Sequence, residues 1–240
     1  MATCIITGAA AGNGYAIATR MRGDGHRVIA VDREAVPEDA AEVRIRGDVL
    51  ERSVIEEAFH AALAGGATEL HLVNNAGITT GEYPPSDATW SRVLDVNLAA
   101  PFQWAREYAR HVSERRILAG CMVFIGSLAT VSGFPRNPAY QASKAGLLGL
   151  TRSFAYDLGS YGIRVNCVSP GYIHTAMTDG SWRDPQLHEA RRRHTLIGRW
   201  GESADVAHAV AFLCDARTSY VTGINLPVDG GWLARGLIES

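Results

Sequence analysis

Residues 7–14 read Thr7-Gly8-Ala9-Ala10-Ala11-Gly12-Asn13-Gly14, after the apolar run Cys4-Ile5-Ile6 and before the helical stretch Tyr15–Met21. Glycines at a strand-to-helix turn allow positive φ and let a ligand approach the backbone closely. The helix that follows presents unpaired N–H groups and the positive end of its dipole, and both suit a pyrophosphate. The spacing, G-x-x-x-G-x-G, is neither G-x-G-x-x-G nor a P-loop, which would need a lysine. A turn whose glycines serve only the chain path is the competing reading, so the weight falls on what lies downstream.

The next strand, Arg27–Val31, ends at Asp32, eighteen residues beyond Gly14. A carboxylate at that offset can accept hydrogen bonds from an adenosine ribose and repels a 2′-phosphate. Arg33 beside it could hold a phosphate instead, and a plain turn aspartate is the bland alternative. The loop itself carries no basic residue, with Ala11 preceding Gly12. The combination favours NAD over NADP.

Further apolar runs follow at Leu70–Val73, Met122–Ile125, Arg164–Val168 and Gly223–Val228. Helical stretches fall between them at Ser53–Leu63, Trp90–Val112 (bent at Pro101), Pro138–Leu158 and Ala204–Leu213. Continuous apolar strands alternating with helices predict a parallel sheet covered on both faces, a doubly wound α/β fold whose ligands bind beyond the carboxyl ends of the strands. Residues 1–240 read as one domain. The polar, poorly patterned stretch 175–201 is expected to be a lid over the site or a surface excursion.

Composition narrows the function classes. With 47% hydrophobic and 20% charged residues the chain can build a large core. A net charge of −2 argues against nucleic acid as a partner. No apolar run is long enough for a membrane span, and no signal peptide is visible. Cys4, Cys121, Cys167 and Cys214 have no C-x-x-C spacing, and the eight histidines form no ligand cluster. Reduced core thiols, a cytoplasmic home and no metal are the expectation.

Taken together, these motifs resemble the short-chain dehydrogenase/reductase superfamily over essentially the whole chain. Thr7–Gly14 matches its T-G-x-x-x-G-x-G cofactor loop, Asp48-Val49 its acidic-hydrophobic pair beside adenine, and Asn74-Asn75-Ala76-Gly77 its N-N-A-G motif. Asn97, Ser127, Tyr140 and Lys144 fall where its catalytic tetrad would, and Pro170-Gly171 with Ile173 and Thr175 resembles the segment that grips the nicotinamide carboxamide. The resemblance implies a single Rossmann domain, a nicotinamide cofactor and a homotetramer with the Trp90–Val112 and Pro138–Leu158 helices in its interfaces. Two positions depart from the pattern, Asn13 for an aliphatic residue and His71 for an aspartate. Neither removes a catalytic group, and the role of Asn13 stays open.

Tyr140 and Lys144, four apart, share one helix face. A free phenol titrates near 10, and bringing it to about 7 requires roughly 4 kcal/mol of preferential stabilisation of the phenolate. A neighbouring ammonium is expected to supply part of that. Tyr140 could then exchange a proton with an alcohol or carbonyl while hydride moves. Ser127 would hold the substrate oxygen, and the resemblance gives Lys144 the ribose hydroxyls and Asn97 a water that relays protons. Phe134, Pro135, Arg136, Tyr172, Met177 and Trp182 are candidates for the substrate wall, with Arg136 a possible contact for an anionic substrate. The run Arg191-Arg192-Arg193-His194 reads as a salt-bridged helix face, with docking of an acidic carrier protein as the other option.

The leading expectation is an NAD-dependent oxidoreductase acting on a secondary alcohol or its ketone. A 3-oxoacyl thioester reductase, which would favour NADPH and a carrier, is the alternative within enzymes. A non-catalytic NAD-binding regulator is the alternative outside them, and it would be expected to lack Ser127, Tyr140 or Lys144.

Overall fold

The computed structural model describes residues 2–236. β1 (Thr3–Thr7) leads into α1 (Gly12–Gly23), and β2 (Arg27–Asp32) is followed by β3 (Val43–Arg46), α2 (Arg52–Ala64) and β4 (Glu69–Asn74). Then come α3 (Asp87–Leu94), α4 (Ala100–Ser113), β5 (Ala119–Ile125), α5 (Pro138–Gly159) and β6 (Ile163–Pro170). The last third holds α6 (Asp179–Arg183), α7 (Pro185–His194), α8 (Ser203–Cys214) and β7 (Asn225–Val228).

The seven strands form one sheet in the order β3-β2-β1-β4-β5-β6-β7, and every pairing is parallel. The order reverses between β1 and β4, so the loops after these strands flank a crevice at the carboxyl edge. Successive side chains of a strand alternate between faces. Ile5 of β1 accordingly packs toward α2, α4 and α5 with Leu72, Trp104 and Phe59, whereas Cys4 and Ile6 pack toward α1 and α8 with Ile17 and Val210. Both faces are therefore dry, as the near-continuous apolar strands require.

Three features differ from the sequence reading. The edge strand β3 pairs with β2 from Ile29↔Val43 to Asp32↔Arg46 but escapes detection, because half of its four residues are arginines. The expected bent helix Trp90–Val112 is instead α3, a π-helical turn over Asp95–Ala99, and α4. The Ala100 amide donates to the Asp95 carbonyl five residues back, a widening placed just before Pro101, which has no N–H to continue the α pattern. Finally, 175–201 is largely helical. Asp184 caps α7 by accepting from the Gln186 and Leu187 amides at 2.9 and 3.0 Å, and Pro185 occupies the first turn.

Candidate active site

The loop 7–14 is built by tight approaches of backbone. Gly8 has φ +68° and Gly12 φ +54°, the left-handed region that favours glycine. A Cβ on Gly8 would lie 2.8 Å from the Ala76 Cα, and one on Gly14 would lie 1.9 Å from the Gly8 carbonyl oxygen. Thr7 and Asn75 lock this loop to the one after β4. The Thr7 hydroxyl accepts from the Asn75 and Ala76 amides at 3.1 and 3.2 Å, and the Asn75 side-chain amide donates to the Thr7 and Gly8 carbonyls at 3.0 and 2.9 Å. Ala11 opens α1 with no side-chain cap, so the first amides of the helix are left for a ligand.

A cavity of about 470 Å³ runs along the carboxyl edge of the sheet. At one end it is lined by Gly8, Gly12, Asn13, Asp32, Arg33, Asp48 and Val49, and in the middle by Asn75, Ala76 and Gly77. Ser127, Tyr140, Lys144, Pro170, Gly171, Ile173 and Thr175 complete it toward β6. Thr7, Gly14 and Asn97 lie behind the wall and shape it. Asp32 accepts from the Ala10 amide through one oxygen and the Glu34 amide through the other, at 2.9 and 3.0 Å. Both bonds fix the carboxylate at the cavity edge while leaving lone pairs for further donors. Asp48 accepts from the Leu50 amide and pairs with Arg92 at 3.3 Å, a cavity-lining arginine that the sequence reading missed for want of any motif. Asn13 Oδ1 is buried with no donor among the described residues.

At the β6 end, two neighbouring loops hold the start of α5, and a bond within the helix steadies its first turn. The Asn137 amide donates to Thr79 Oγ1 and the Thr80 carbonyl, Gln141 donates to the Ala129 carbonyl, and the Ser143 hydroxyl donates to the Tyr140 carbonyl. Asn97 sits in the π turn, fully buried, accepting from the Ile78 amide and donating to the Ile78 carbonyl, both at 2.8 Å. Its amide also donates to Ser143 Oγ at 3.2 Å. These ties bring Tyr140 between the loop of Ser127 and the loop of Thr79. Gly77 lies beside both Asn97 and Lys144, where a Cβ would meet Asn97 Oδ1 at 3.4 Å and Lys144 Nζ at 3.5 Å, ordinary contact distances.

The ionisation of the pair differs from the sequence expectation. Burial raises the Tyr140 hydroxyl above its ordinary value, and a hydrogen bond with Ser127 pulls only partly the other way. Lys144 Nζ donates to the Ile125 carbonyl at 2.7 Å and lies 5.7 Å from the centre of the Tyr140 ring. Burial of the ammonium brings it down to about 8. The protein alone thus holds a neutral phenol beside a lysine poised near neutrality.

Of the predicted substrate wall, Phe134, Tyr172 and Met177 line the cavity. Arg136 does not, and its guanidinium rests 5.1 Å from the Tyr83 ring centre. Trp182 lies outside the lining, stacked on His174 at 4.0 Å and edge-on to Trp200 at 5.2 Å. Arg191 enters the cavity wall instead, out of the run read as a salt-bridged face. His71 is buried in β4, neutral and pushed down to about 3 by loss of solvation.

Over residues 8–233 the chain matches the family described as Enoyl-(Acyl carrier protein) reductase. It is 36% identical over 242 residues to galactitol 2-dehydrogenase (L-tagatose-forming) of Cereibacter sphaeroides, covering 96% of this chain and 94% of that one. A structure from Agrobacterium tumefaciens with bound NADP, assigned provisionally as a 2-deoxy-D-gluconate 3-dehydrogenase, superposes with a TM-score of 0.88 at 35% identity, over 98% of this chain and 97% of that one. 4-Hydroxyisoleucine dehydrogenase in complex with NADH superposes with a TM-score of 0.90 at 30% identity, over 98% of this chain and all of that one, 100%. With the fold, the strand order and the motif-bearing loops in place, the chain belongs to the short-chain dehydrogenase/reductase superfamily of hydride-transferring oxidoreductases.

Proposed function

We propose that the protein catalyses NAD-dependent hydride transfer between a secondary alcohol and its ketone, with Tyr140 as general acid and base. One observation carries the reading: Ser127, Tyr140 and Lys144 line the same cavity as the glycine loop and Asp32. Gly8, Gly12 and the uncapped start of α1 would receive the pyrophosphate. Asp48 and Val49 would flank the adenine, Asp32 and Arg33 its ribose, and Asn75, Ala76 and Gly77 the middle of the dinucleotide. Pro170, Gly171, Ile173 and Thr175 would border the nicotinamide.

When bound, the dinucleotide supplies or accepts the hydride, and its oxidised ring adds a positive charge to the site. Tyr140 Oη takes the alcohol proton or gives one to the carbonyl, and Ser127 Oγ fixes the reacting oxygen against it. Lys144, near neutrality, orients the ribose and passes protons. Asn97, held by Ile78 and Ser143, would order the water that serves that relay.

NAD is preferred over NADP on the strength of Asp32, whose carboxylate is held by the Ala10 and Glu34 amides where a 2′-phosphate would be repelled. The acyl-thioester alternative draws little from the arginine run, since Arg192 is tied to Glu189 and Arg191 turns into the cavity. A homotetramer is supported by the exposed Trp90, Phe102 and Tyr156 on α3, α4 and α5. A reducing cytoplasm is supported by four unpaired thiols.

The test is a panel of secondary alcohols, polyols and hydroxy acids with NAD, read by absorbance of the reduced nicotinamide. Tyr140→Phe is expected to lower kcat by about 1,000-fold or more while NADH still binds with unchanged affinity. Turnover within tenfold of the parent would remove Tyr140 from proton transfer.

A further inference from the structure

The three arginines of α7 go three ways. Arg192 forks onto Glu189 with bonds of 2.7 and 2.8 Å and donates to the Gly198 carbonyl. Arg193 is exposed. Arg191 turns inward, lining the cavity that also holds Ser127 and Tyr140. Its guanidinium lies 4.3 Å from the ring centre of Tyr172, the residue directly after Gly171, and 5.6 Å from that of Trp200.

Among the described residues no carboxylate lies within 4.0 Å of Arg191 and no acceptor receives its side-chain N–H groups, while Nη1 is buried without a partner. The side chain is half-buried, and a charged N–H enclosed without an acceptor is costly, so Nη1 calls for an acceptor that arrives from outside. The aromatic rings stabilise the cation by its flat face and leave the N–H edge free. The cavity's own carboxylates, Asp32 and Asp48, sit at the opposite end, where β2 and β3 form one edge of the sheet. Both are held there, Asp32 by two amides and Asp48 by the Leu50 amide and Arg92, and neither pairs with Arg191. The half of the cavity around Ser127 and Tyr140 thus has two basic side chains and no acid, and of the two Lys144 already donates to the Ile125 carbonyl.

We propose that Arg191 anchors a carboxylate of the substrate, so that the preferred class is a hydroxy acid oxidised to the corresponding oxo acid, or the reverse. The inference rests on the hydride-transfer reading and deepens it. A guanidinium offers two parallel N–H bonds to a planar carboxylate, a fit that a lone hydroxyl cannot reproduce. Arg136, the other candidate for an anionic contact, lies outside the cavity on Tyr83. The anchor comes from the lid, so binding the acid also ties α7 to the floor of the site.

Two measurements separate the anchor from the chemistry. First, the NADH-loaded protein is titrated calorimetrically with succinate and with succinamide. Succinate is expected to bind at least about tenfold tighter, a preference lost in Arg191→Met and partly kept in Arg191→Lys. Equal binding of acid and amide, or a preference that survives Arg191→Met, overturns the proposal. Second, hydroxy acids and their amides are compared as substrates with NAD. The ratio of kcat/KM, acid over amide, is expected to fall by about 10- to 100-fold in Arg191→Met, chiefly through KM. An equal loss for acid and amide would mean that Arg191 only packs the lid and would overturn the anchor. Carboxylate binding through Arg191 with no oxidation of any alcohol would instead leave the anchor standing and remove the hydride-transfer reading.

Discussion

The two ends of the cavity are built by opposite means. Around residues 7–14 the wall is backbone against backbone, with Gly8 against Ala76, Gly14 against Gly8, and both loops stapled by Thr7 and Asn75. At the other end the segment behind the wall is held ring against ring, with Trp182 on His174, His188 on Trp200, and Tyr172, which lines the cavity, on Trp232. Contacts between backbones allow almost no substitution, because any added Cβ collides. Stacked side chains can be exchanged for others of similar size with modest loss. The first end suits the part of the reaction that is the same for every substrate, and the second suits the part that varies.

The contrast is open to direct attack, most severely at Gly14. Gly14→Ala places its Cβ 1.9 Å from the Gly8 carbonyl oxygen and 2.5 Å from Asn75 Nδ2. A loss of about 3 kcal/mol or more in denaturant unfolding is expected, together with loss of NADH binding. A variant as stable as the parent would show that the loop yields and would dissolve the distinction.

Lys144, beside Tyr140 toward β6, tests the cost of the chemistry. Burial depresses it from 10.5 to about 8, so between those values the unfolded chain holds a proton that the folded chain has released. Stability therefore rises with pH across that window, and the full penalty is present below pH 8. Lys144→Met is expected to be more stable than the parent at pH 7 by up to about 3 kcal/mol, with the gap closing toward pH 10. A gap that does not change with pH would count against the burial cost.

Asp32→Ala at the end around residues 7–14 should shift the ratio of kcat/KM for NAD over NADP by about 10- to 100-fold toward NADP, as initial rates with each cofactor would record. At the other end, Trp182→Ala should raise substrate KM severalfold while NADH affinity, followed by fluorescence, stays put. Weakened NADH binding in that variant would mean that the ends are not independent.

The same contrast explains what could be read in the chain. Backbone constraints leave their mark as residue identity at fixed spacing, so Gly8, Gly12, Gly14, Asn75 and Gly77 were legible, as were Tyr140 and Lys144 one helical turn apart. The strands of the sheet were legible because parallel strands buried on both faces are apolar throughout. β3 was not, since an edge strand of Val43-Arg44-Ile45-Arg46 is half solvated. Nor was the order of 175–201, where helices are fixed by rings from Tyr172, His174 and Trp200 that adjoin only after folding. Arg191 and Arg192 are neighbours of one residue type, and only the direction of each side chain separates a surface ion pair from a cavity wall. The ionisation of Tyr140 also escaped, because charge proximity in sequence says nothing about burial.

The π turn over Asp95–Ala99 gives one of the site's elements an unusual genetic sensitivity. Such a turn is an α-helix that carries one residue too many. Removing a single residue from it would let a regular helix close with its flanks still facing their neighbours, but would re-aim the residues inside the turn. Asn97 would then leave Ile78 and Ser143, although its side chain had not been altered. At this position an in-frame loss of one codon should therefore harm the enzyme more than most missense changes nearby, because what is inherited is the number of residues in the turn as much as their kind.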